Sequence, residues 1–491
     1  MKKYTSFLLP LILAFAFFTR VWHLHLPEQY IFDEVYHAVT AKLIARNDPW
    51  AYEWWNPAPE PDTAVDWLHP PLAKYTQAAG MLLFGENTFG WRISSALFGV
   101  GVIYLTYILA KELWREEIGL LAAFIASLDG LLLTQSRIAM NDIHVTFFIL
   151  LTLILYLKYR AKETEKPKSK AALLVRDKSA VRLLFLTGAS AGLAMGSKWS
   201  GLFVLAIVWF FHARTIFQWF QPFTRQKKQR TQFTTKQLTI KIASTFLFLG
   251  ILPLVVYVLS YAHMFFQGKS LVCSQQEYIP GQCYYEVIKW GDRILYQGYV
   301  SHFSQLHRQI WHYQTHLEAT HSYQSRPYEW FLNLRPVWYY VKYGPGTLAN
   351  IYALGNPVVF WLGGVTVVGS LISLGLTFLS KAPPHLRKDS PQLFFLLISY
   401  LMVWLPWQLS PRIMFFYHYT PAVPLLSIIL AYWLYQIHNL HIKDYQVGKI
   451  VVTLCVMLAT CCFLVWYPNW TGQPVPTEFA ENVYFVIKSW R

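Results

Sequence analysis

Long apolar runs separated by short polar segments dominate this chain. Residues 358–379, 393–409 and 450–467 are examples, each close to the length of about 20 residues that crosses a bilayer as a helix. The pattern predicts membrane helices near residues 5–22, 91–110, 118–135, 142–157, 183–197, 200–213, 241–266, 356–379, 391–409, 413–436 and 449–467. We therefore expect an all-α polytopic membrane protein with about 11 transmembrane helices, forming one integral membrane domain over residues 1–491.

Composition supports the membrane assignment. The chain is 55% hydrophobic, 18% aromatic and only 14% charged, which is too apolar for an ordinary soluble enzyme. The first apolar run follows Met1-Lys2-Lys3 and resembles a signal peptide, but no small-residue cleavage site follows it. We predict a retained anchor helix at this position.

The distribution of basic residues predicts the orientation. Of the 42 Lys and Arg residues, 25 fall in the short segments 1–4, 111–117, 158–182, 212–241, 380–390 and 437–449. Short loops rich in Lys and Arg remain on the cytoplasmic side, so the N-terminus is predicted to be cytoplasmic and the C-terminus exterior. The net charge of +16 is thus a feature of topology and does not indicate nucleic-acid binding. We expect the two densest runs, 158–182 and 225–241, to lie against anionic headgroups.

This orientation leaves two long segments outside, residues 23–90 and 267–356. Loops of this length usually carry function or are disordered, and their density of Trp, Tyr and Phe favours order. Within the first, residues 72–84 have apolar positions at helical spacing, which predicts an amphipathic helix in the membrane interface.

An acidic pair, Asp33-Glu34, begins the candidate chemistry. Two adjacent carboxylates at a membrane exit are costly unless they are solvated, paired or used. One interpretation is that they cap a helix starting near Val35, since acidic residues favour helix N-termini. The other is a general base whose neighbour orients a substrate or binds a metal.

Several cations share the exterior side with this pair, where the positive-inside rule predicts few. They are His69, Lys74, Arg92, Arg137, Lys198, Arg335 and Arg412. Snorkelling to the interface explains individual members, but as a set they suggest a site for a phosphate leaving group. Asp142 follows Arg137 by five residues and either pairs with it or lies close to Asp33.

The second exterior segment contains aromatic residues interleaved with Arg, His and Gln over residues 316–340. This composition suits sugar or lipid-phosphate contacts, although an interfacial aromatic belt has the same composition. Cys273 and Cys283 flank a turn here, and spacing alone leaves a disulfide between them open. The sequence has no CxxC or HExxH arrangement, so it gives no sharp metal signature.

The motifs together resemble the protein O-mannosyltransferases, the dolichyl- or polyprenyl-phosphate-mannose–protein mannosyltransferase family. The matching stretches, in family order, are FDEVYHA (32–38), HPPLAK (69–74), FGWRISSALFG (89–99), SRIAMNDIHVTFF (136–148), GSKWSG (196–201), YQSRPYEWFLNLRPVWYY (323–340), GNPVVFW (355–361) and FFYHYTPAVP (415–424). The family usually has Gly where this chain has Ala73. The second exterior segment is too short for the MIR module of fungal and animal members, so the chain resembles a compact prokaryotic member.

The resemblance implies a GT-C glycosyltransferase fold and a specific reaction. Mannose would pass with inversion from polyprenyl-phosphate mannose to Ser or Thr hydroxyls of exported proteins. By the family's motif, Asp33 is the general base and Glu34 assists in positioning donor or acceptor. We expect donor or phosphate contacts from His69, Lys74, Arg137, Asp142, Lys198, Arg335 and Arg412. We expect acceptor or sugar contacts from Tyr323, Arg326, Trp330 and His418.

The implied partners are the lipid donor, an exported polypeptide and membrane lipids, with no nucleic acid. The implied location is the plasma membrane, with the active site on the extracytoplasmic face. No cofactor is firmly implied, and a divalent metal stays possible. The alternative function is a related polyprenyl-phosphate-sugar transferase that acts on a lipid or glycan, similar to the aminoarabinose transferases. A transporter would need ionisable residues deep within the spans, which the sequence does not show.

Overall fold

The computed structural model describes residues 2–164, 178–220, 235–267, 283–438, 440–442 and 444–491. Most of the two basic runs, and Cys273, lie outside these residues. The α-helices of the described residues begin with α1 (Lys2–Val21), α2 (Glu34–Ala45), α3 (Leu72–Phe84), α4 (Thr88–Leu113), α5 (Glu116–Ser127), α6 (Gly130–Gln135), α7 (Asp142–Thr164), α8 (Lys178–Ser197), α9 (Leu202–Phe220), α10 (Thr235–Thr245) and α11 (Leu252–Leu259). They continue with α12 (Ala262–Phe266), α13 (His302–His316), α14 (Pro327–Phe331), α15 (Pro357–Phe378), α16 (Pro384–Trp404), α17 (Ala422–His438), α18 (Val447–Thr471) and α19 (Thr477–Phe479).

Within the described residues, eight helical stretches are long and apolar enough to span a membrane. They are Thr88–Leu113, Asp142–Glu163, Lys178–Ser197, Trp199–Phe217, Leu238–Leu259, Pro357–Phe378, Pro384–Leu409 and Val447–Thr471. Two shorter apolar helices, Phe7–Val21 and Ala422–His438, accompany them. The predicted helical, multi-pass membrane architecture is confirmed, whereas the count of about 11 and the orientation of the termini stay predictions.

One predicted span is divided in the structure. The run 118–135 forms α5 and α6, and Asp129 lies between them as the N-cap of α6. The Asp129 carboxylate accepts hydrogen bonds from the N–H groups of Leu132 at 2.9 Å and Asn356 at 3.0 Å. A carboxylate that caps a helix N-terminus satisfies N–H groups that otherwise lack partners, so the chain turns here instead of continuing as one helix.

A second predicted span, 241–266, is also irregular. It consists of α10, a π-helical turn over Phe246–Ile251, and α11, followed by the short α12. Pro253 stands in the first turn of α11, where its missing N–H is tolerated. Hydropathy detects such a run but not the local widening of its helix.

The second exterior segment contains β-structure that hydropathy does not predict. Strands β1 (Tyr284–Trp290) and β2 (Arg293–Val300) form an antiparallel hairpin with a bulge at Ile288/Lys289. Strands β3 (Val337–Gly344) and β4 (Thr347–Ala353) pair antiparallel, and β5 (Pro474–Pro476) adds to the other edge of β4. Gly346 has φ 66° in the β3–β4 turn, a conformation that favours glycine. Cys283, just before β1, is disulfide-bonded.

Two large apolar cores and one small cluster around Leu24, Ile93 and Ala96 hold these elements together. The larger core fills the space between the membrane helices, for example around Leu131, Leu153 and Leu426. The smaller core lies where α2 and α3 meet α13, and includes Leu43, Met81 and Leu306 among others. The exterior helices are therefore fixed to the membrane domain by burial of apolar surface.

Helix α3 has the bounds that its sequence predicts, and it packs closely on α4. Its face toward the protein includes Lys74 and Met81, while Leu82 and Leu83 are exposed. A Cβ atom at Gly80 would overlap the carbonyl oxygen of Gly90 at the start of α4. Two glycines thus set the distance between the helices that carry Lys74 and Arg92.

Gly80→Ala is expected to destabilise the protein by about 1–3 kcal/mol, because the added methyl group must push α3 away from backbone that cannot yield. The measurement is the midpoint of thermal unfolding in detergent. Gly375→Ala is the control, since a Cβ there meets no atom within 4 Å. Equal midpoints for the two variants would contradict the proposed close contact.

Candidate active site

Asp33 lies at the N-terminus of α2 with its carboxylate available. It occupies the N-cap position, yet its side chain makes no capping hydrogen bond. Among the described residues it makes no ion pair, and the Tyr417 hydroxyl lies beside it. The Asp33 side chain therefore does not cap α2, in contrast to the first interpretation of the acidic pair.

The backbone before Asp33 is held in an unusual conformation. Phe32 has φ 48°, which costs a non-glycine residue on the order of 1–3 kcal/mol. Its ring stacks on Tyr339 at 4.3 Å and meets Tyr417 edge-on at 5.8 Å between centroids. This aromatic packing offsets the strain and fixes the direction in which Asp33 points.

Glu34 has a different environment from its neighbour, because it is fully buried and bonded within the chain. Its carboxylate forms a paired contact with Arg92, with Nε–Oε1 at 2.8 Å and Nη2–Oε2 at 2.7 Å. It also accepts hydrogen bonds from the N–H groups of Ile31 at 3.1 Å and Ala139 at 3.0 Å. Any contribution of Glu34 to substrate positioning is thus indirect, through the backbone that carries Asp33.

Arg92 extends the same connection. Its guanidinium also donates to the carbonyl oxygens of Leu24 at 3.2 Å, Pro27 at 3.0 Å and Gln29 at 2.9 Å. The segment between α1 and α2 is therefore tied to α4. Arg92, one of the exterior cations, is fully occupied inside the protein and does not face a ligand.

A second carboxylate, Asp66, lies at the centre of a cluster of His and Lys side chains near α2. Its oxygens lie 2.7 Å from His37 Nδ1, 2.9 Å from His69 Nδ1 and 2.8 Å from Lys74 Nζ. Burial alone would raise the pKa of Asp66, but Lys74, His69 and His37 outweigh burial and hold the pKa well below its usual value. Burial lowers the pKa of His69 to about 4 despite Asp66, so His69 is neutral at pH 7.

The same cluster is the metal candidate among the described residues. His37, Asp66 and His69 offer ligand atoms that lie within 4.8 Å of one another. However, the Lys74 ammonium already occupies Asp66 Oδ2, and it also donates to the carbonyls of Asp66 at 2.6 Å and His69 at 2.9 Å. A divalent cation would have to displace that charge, so we describe the cluster as an ion-pair network.

Asp142 and Lys198 form the third part of the site. They stand at the start of α7 and just after α8, and Lys198 Nζ lies 2.8 Å and 3.0 Å from the two Asp142 oxygens. The ammonium also lies 5.3 Å from the ring centroid of Tyr417. Asp142 therefore pairs with Lys198, and not with Arg137.

The electrostatics of Asp33 connect these parts. Its pKa is raised to about 6, chiefly by burial, with Asp66 and Asp142 adding repulsion and His37 and Lys198 opposing the rise. The expectation that Asp142 lies close to Asp33 thus agrees with its influence on this pKa. Burial also raises the pKa of Tyr417 well above its usual value, so its hydroxyl remains protonated.

Arg137 lies elsewhere. Its Nη1 donates to the carbonyl oxygens of Thr19 at 3.2 Å, Arg20 at 2.9 Å and Trp22 at 2.8 Å, and its Nη2 to that of His23 at 3.2 Å. A cation at a helix C-terminus is favoured by the helix dipole. The structure therefore gives Arg137 the role of closing α1, in place of the expected phosphate contact.

Three of the expected acceptor or sugar contacts, Tyr323, Arg326 and Trp330, lie in the second exterior segment, and His418 joins them from the short 3-10 helix Phe416–Tyr419. Trp330 is fully buried, and its indole donates to Ser325 Oγ at 2.8 Å, so it belongs to the core. His418 is buried and stacks on Trp330 at 5.9 Å. Tyr323 is half-buried, whereas Arg326 is exposed.

Two of the expected cations lie in this group as well. Arg335 and Arg412 line one cavity together with Arg326. Arg412 also donates to the amide oxygen of Gln314 and lies over the ring of Tyr313.

Sequence reasoning missed three residues of the site. Asp66 lies three residues before His69, a spacing that brings the two side chains together, and this was the available signal. His37 lies four residues after Asp33 on α2, one helical turn away. Tyr417 sits in a short 3-10 helix that gives no pattern of its own.

Comparison with known proteins identifies the family. Residues 64–266 match the family described as "Dolichyl-phosphate-mannose-protein mannosyltransferase", and residues 299–490 match the "C-terminal four TMM region of protein-O-mannosyltransferase". The chain belongs to the protein O-mannosyltransferase family. The family that its motifs resemble is thereby confirmed.

Bacterial relatives of this family align over most of the chain. A "Polyprenol-phosphate-mannose--protein mannosyltransferase" of Corynebacterium glutamicum is 25% identical, covering 86% of this chain and 81% of the relative. One from Mycolicibacterium smegmatis is 26% identical over 98% of this chain and 92% of its own length.

Solved structures confirm the GT-C fold. The donor-bound Pmt1-Pmt2 protein O-mannosyltransferase of Saccharomyces cerevisiae matches with a TM-score of 0.75 and 16% identity, covering all of this chain and 92% of that one. ArnT of Cupriavidus metallidurans bound to undecaprenyl phosphate matches with a TM-score of 0.55 and 12% identity, over 96% of this chain and 77% of that one. At these identities the likeness concerns the fold alone.

Glu34→Gln is expected to lower the free energy of unfolding of this protein by about 3–5 kcal/mol, because it leaves the buried Arg92 charge without its partner. Glu86→Gln is the matched control. Glu86 pairs with Arg46 at the surface, where side-chain exposures are 34% and 56%, so its loss should cost at most about 1 kcal/mol. Thermal unfolding in detergent compares the two variants. Similar losses of stability would contradict the stabilising role of the Glu34–Arg92 pair.

Proposed function

We propose that this protein transfers mannose, with inversion, from polyprenyl-phosphate mannose to Ser or Thr hydroxyls of exported polypeptides. The observation that carries the proposal is Asp33, an available carboxylate with a raised pKa beside the buried Lys198–Asp142 pair. Family membership and the names of its bacterial relatives support the same donor and acceptor classes.

Asp33 is suited to act as the general base. A carboxylate with a pKa near 6 is mostly ionised at pH 7, yet it binds a proton more strongly than an ordinary aspartate. It accepts the proton of the acceptor hydroxyl while the hydroxyl oxygen forms a bond to the anomeric carbon. The bond from that carbon to the phosphate oxygen breaks, and its electron pair leaves with the polyprenyl phosphate.

The leaving phosphate requires a cation, and Lys198 is the best placed of the expected ones. Lys74 lies within the Asp66 network, and Arg137 donates to carbonyl oxygens at the end of α1. Lys198 pairs with Asp142 and acts electrostatically on Asp33, so it is the cation nearest to the proposed base in its effect. A positioned ammonium stabilises the negative charge that develops on the phosphate. Attack from the face opposite this phosphate inverts the anomeric configuration.

The same arrangement supports a proposed location. Asp142 and Lys198 lie at ends of apolar helices, and Asp33 lies in the segment after α1, all on the side that the distribution of basic residues predicts to be exterior. A lipid donor in the outer leaflet would present its phosphate at this depth. We therefore propose a plasma-membrane protein with an extracytoplasmic active site.

The test supplies membranes containing the protein with polyprenyl-phosphate mannose that carries labelled sugar, together with an exported Ser/Thr-rich peptide. Asp33→Asn should reduce peptide labelling by about 10²–10⁴-fold, because the amide cannot take the hydroxyl proton. Asp62→Asn is the control, since Asp62 is exposed in the same segment at φ 55°, a conformation that Asn tolerates.

Near-normal transfer by Asp33→Asn would exclude the general-base role. Label that enters lipid but no peptide would instead favour the alternative transferase, which acts on a lipid or glycan.

The pH dependence gives an independent check. Because the pKa of Asp33 is raised to about 6, the active carboxylate is present above pH 6 and is lost as the pH falls through that value. The value of kcat/KM for transfer should therefore fall about tenfold per pH unit below 6. Activity that persists unchanged to pH 4.5 would contradict this environment for Asp33.

A further inference from the structure

A groove beside the catalytic cluster is not used by the mechanism above. It has a volume of about 500 Å³ and lies between the segment after α13, the start of α14 and the segment before Met414. Ten of its fifteen lining residues are polar or charged. A lining of this kind suits a polar chain better than the apolar tail of a polyprenyl lipid.

One wall of the groove has free backbone groups. Leu317 is extended, with φ −67° and ψ 109°, and the residues up to Thr320 belong to no helix or strand. Among the described residues, Glu318, Ala319 and Thr320 take part in no backbone hydrogen bond, and they are exposed. Exposed backbone groups without internal partners can pair with an extended chain by main-chain hydrogen bonds.

The charge of the groove is positive. Arg326 is exposed and has no charged partner among the described residues, because Glu329 accepts instead from the Arg326 backbone N–H. The Arg335 side chain is 51% exposed, and its Nε lies 3.8 Å from Glu329 Oε1, which is a long distance for an ion pair. Arg412 has the neutral amide of Gln314 as its hydrogen-bond partner. Three guanidinium groups thus outnumber the two carboxylates, of which Glu318 is exposed to solvent.

The groove leads to the catalytic carboxylate. Ser325 donates its N–H to the carbonyl oxygen of Met414 at 2.9 Å, which joins the two walls. Phe415, the next residue, stacks on Tyr417 at 5.6 Å between centroids. The Tyr417 hydroxyl lies beside Asp33, so a chain in the groove would reach the base within a few residues.

We propose that this groove binds the acceptor polypeptide in an extended conformation and favours acidic residues near the accepting Ser or Thr. Arg326 and Arg335 would contact the carboxylates, while the segment 317–320 would pair with the peptide backbone. The inference rests on the proposed function, because it assigns the acceptor of that reaction.

The experiment measures peptide binding by fluorescence anisotropy with the purified full-length protein in detergent. Two labelled peptides differ only in having Asp or Asn on both sides of a single Thr. The Asp peptide should bind more tightly, and the double variant Arg326→Gln/Arg335→Gln should reduce that preference about four- to 25-fold, since each exposed ion pair contributes about two- to fivefold. Raising the salt concentration should weaken the preference in the unmodified protein.

Arg308→Gln is the matched control. Arg308 is an exterior arginine with 45% side-chain exposure, but it pairs with Glu286 of the β-hairpin, away from the groove. This variant should retain the full preference for the Asp peptide. Transfer assays with both peptides should show the loss in the double variant as a raised peptide KM, with the donor KM unchanged.

Two results would overturn the inference. One is equal binding of the Asp and Asn peptides by the unmodified protein. The other is a double variant whose donor KM rises while its peptide preference persists, which would assign the arginines to the lipid phosphate. Selective peptide binding without any mannosyl transfer would support the groove and count against the proposed function, so the two failures are distinguishable.

Discussion

The buried contact between Glu34 and Arg92 is the interaction on which the site depends. It joins the start of α2 to α4, and its hydrogen bonds reach Ile31 and Ala139, which belong to two further segments. Taking both charges out of water is costly, and paired geometry with additional hydrogen bonds is what makes it tolerable. The benefit is a fixed backbone immediately before and after Asp33.

Two adjacent carboxylates therefore have opposite environments. Glu34 is fully buried and bonded to Arg92, whereas Asp33 forms no ion pair with any described residue and lies near Asp66, Asp142 and Tyr417. Two adjacent residues can differ in this way because successive side chains at the start of a helix point in different directions. Environment, and not residue type, separates the structural acid from the one proposed as the general base.

Much of the architecture could be predicted because hydropathy reports directly on burial in a bilayer. Helix α3 has its predicted bounds, and Lys198, one of the predicted site cations, acts electrostatically on Asp33. Hydropathy could not show that Asp129 divides the run 118–135, since a single capping hydrogen bond leaves the apolar pattern unchanged.

The less predictable part of the site depends on long-range contacts. Arg137 and Lys198 are both cations at exterior helix ends, and only the fold decides that one closes α1 while the other pairs with Asp142. The role of Asp66 likewise depends on where the turn after it directs His69 and Lys74. The strands of the second exterior segment were missed because their residues resemble an aromatic belt.

The last strand has a consequence for how the molecule is made. Strand β5 adds to β4, and farther on the indole of Trp490 donates to the carbonyl oxygen of Asn333 at 2.9 Å while its own carbonyl accepts from the Tyr352 hydroxyl at 3.3 Å. The wall near Arg335 is thus supported by residues that the ribosome adds 139 to 155 positions later. During synthesis, this wall stays incomplete until β5 and Trp490 have been added and have joined β4 and Asn333.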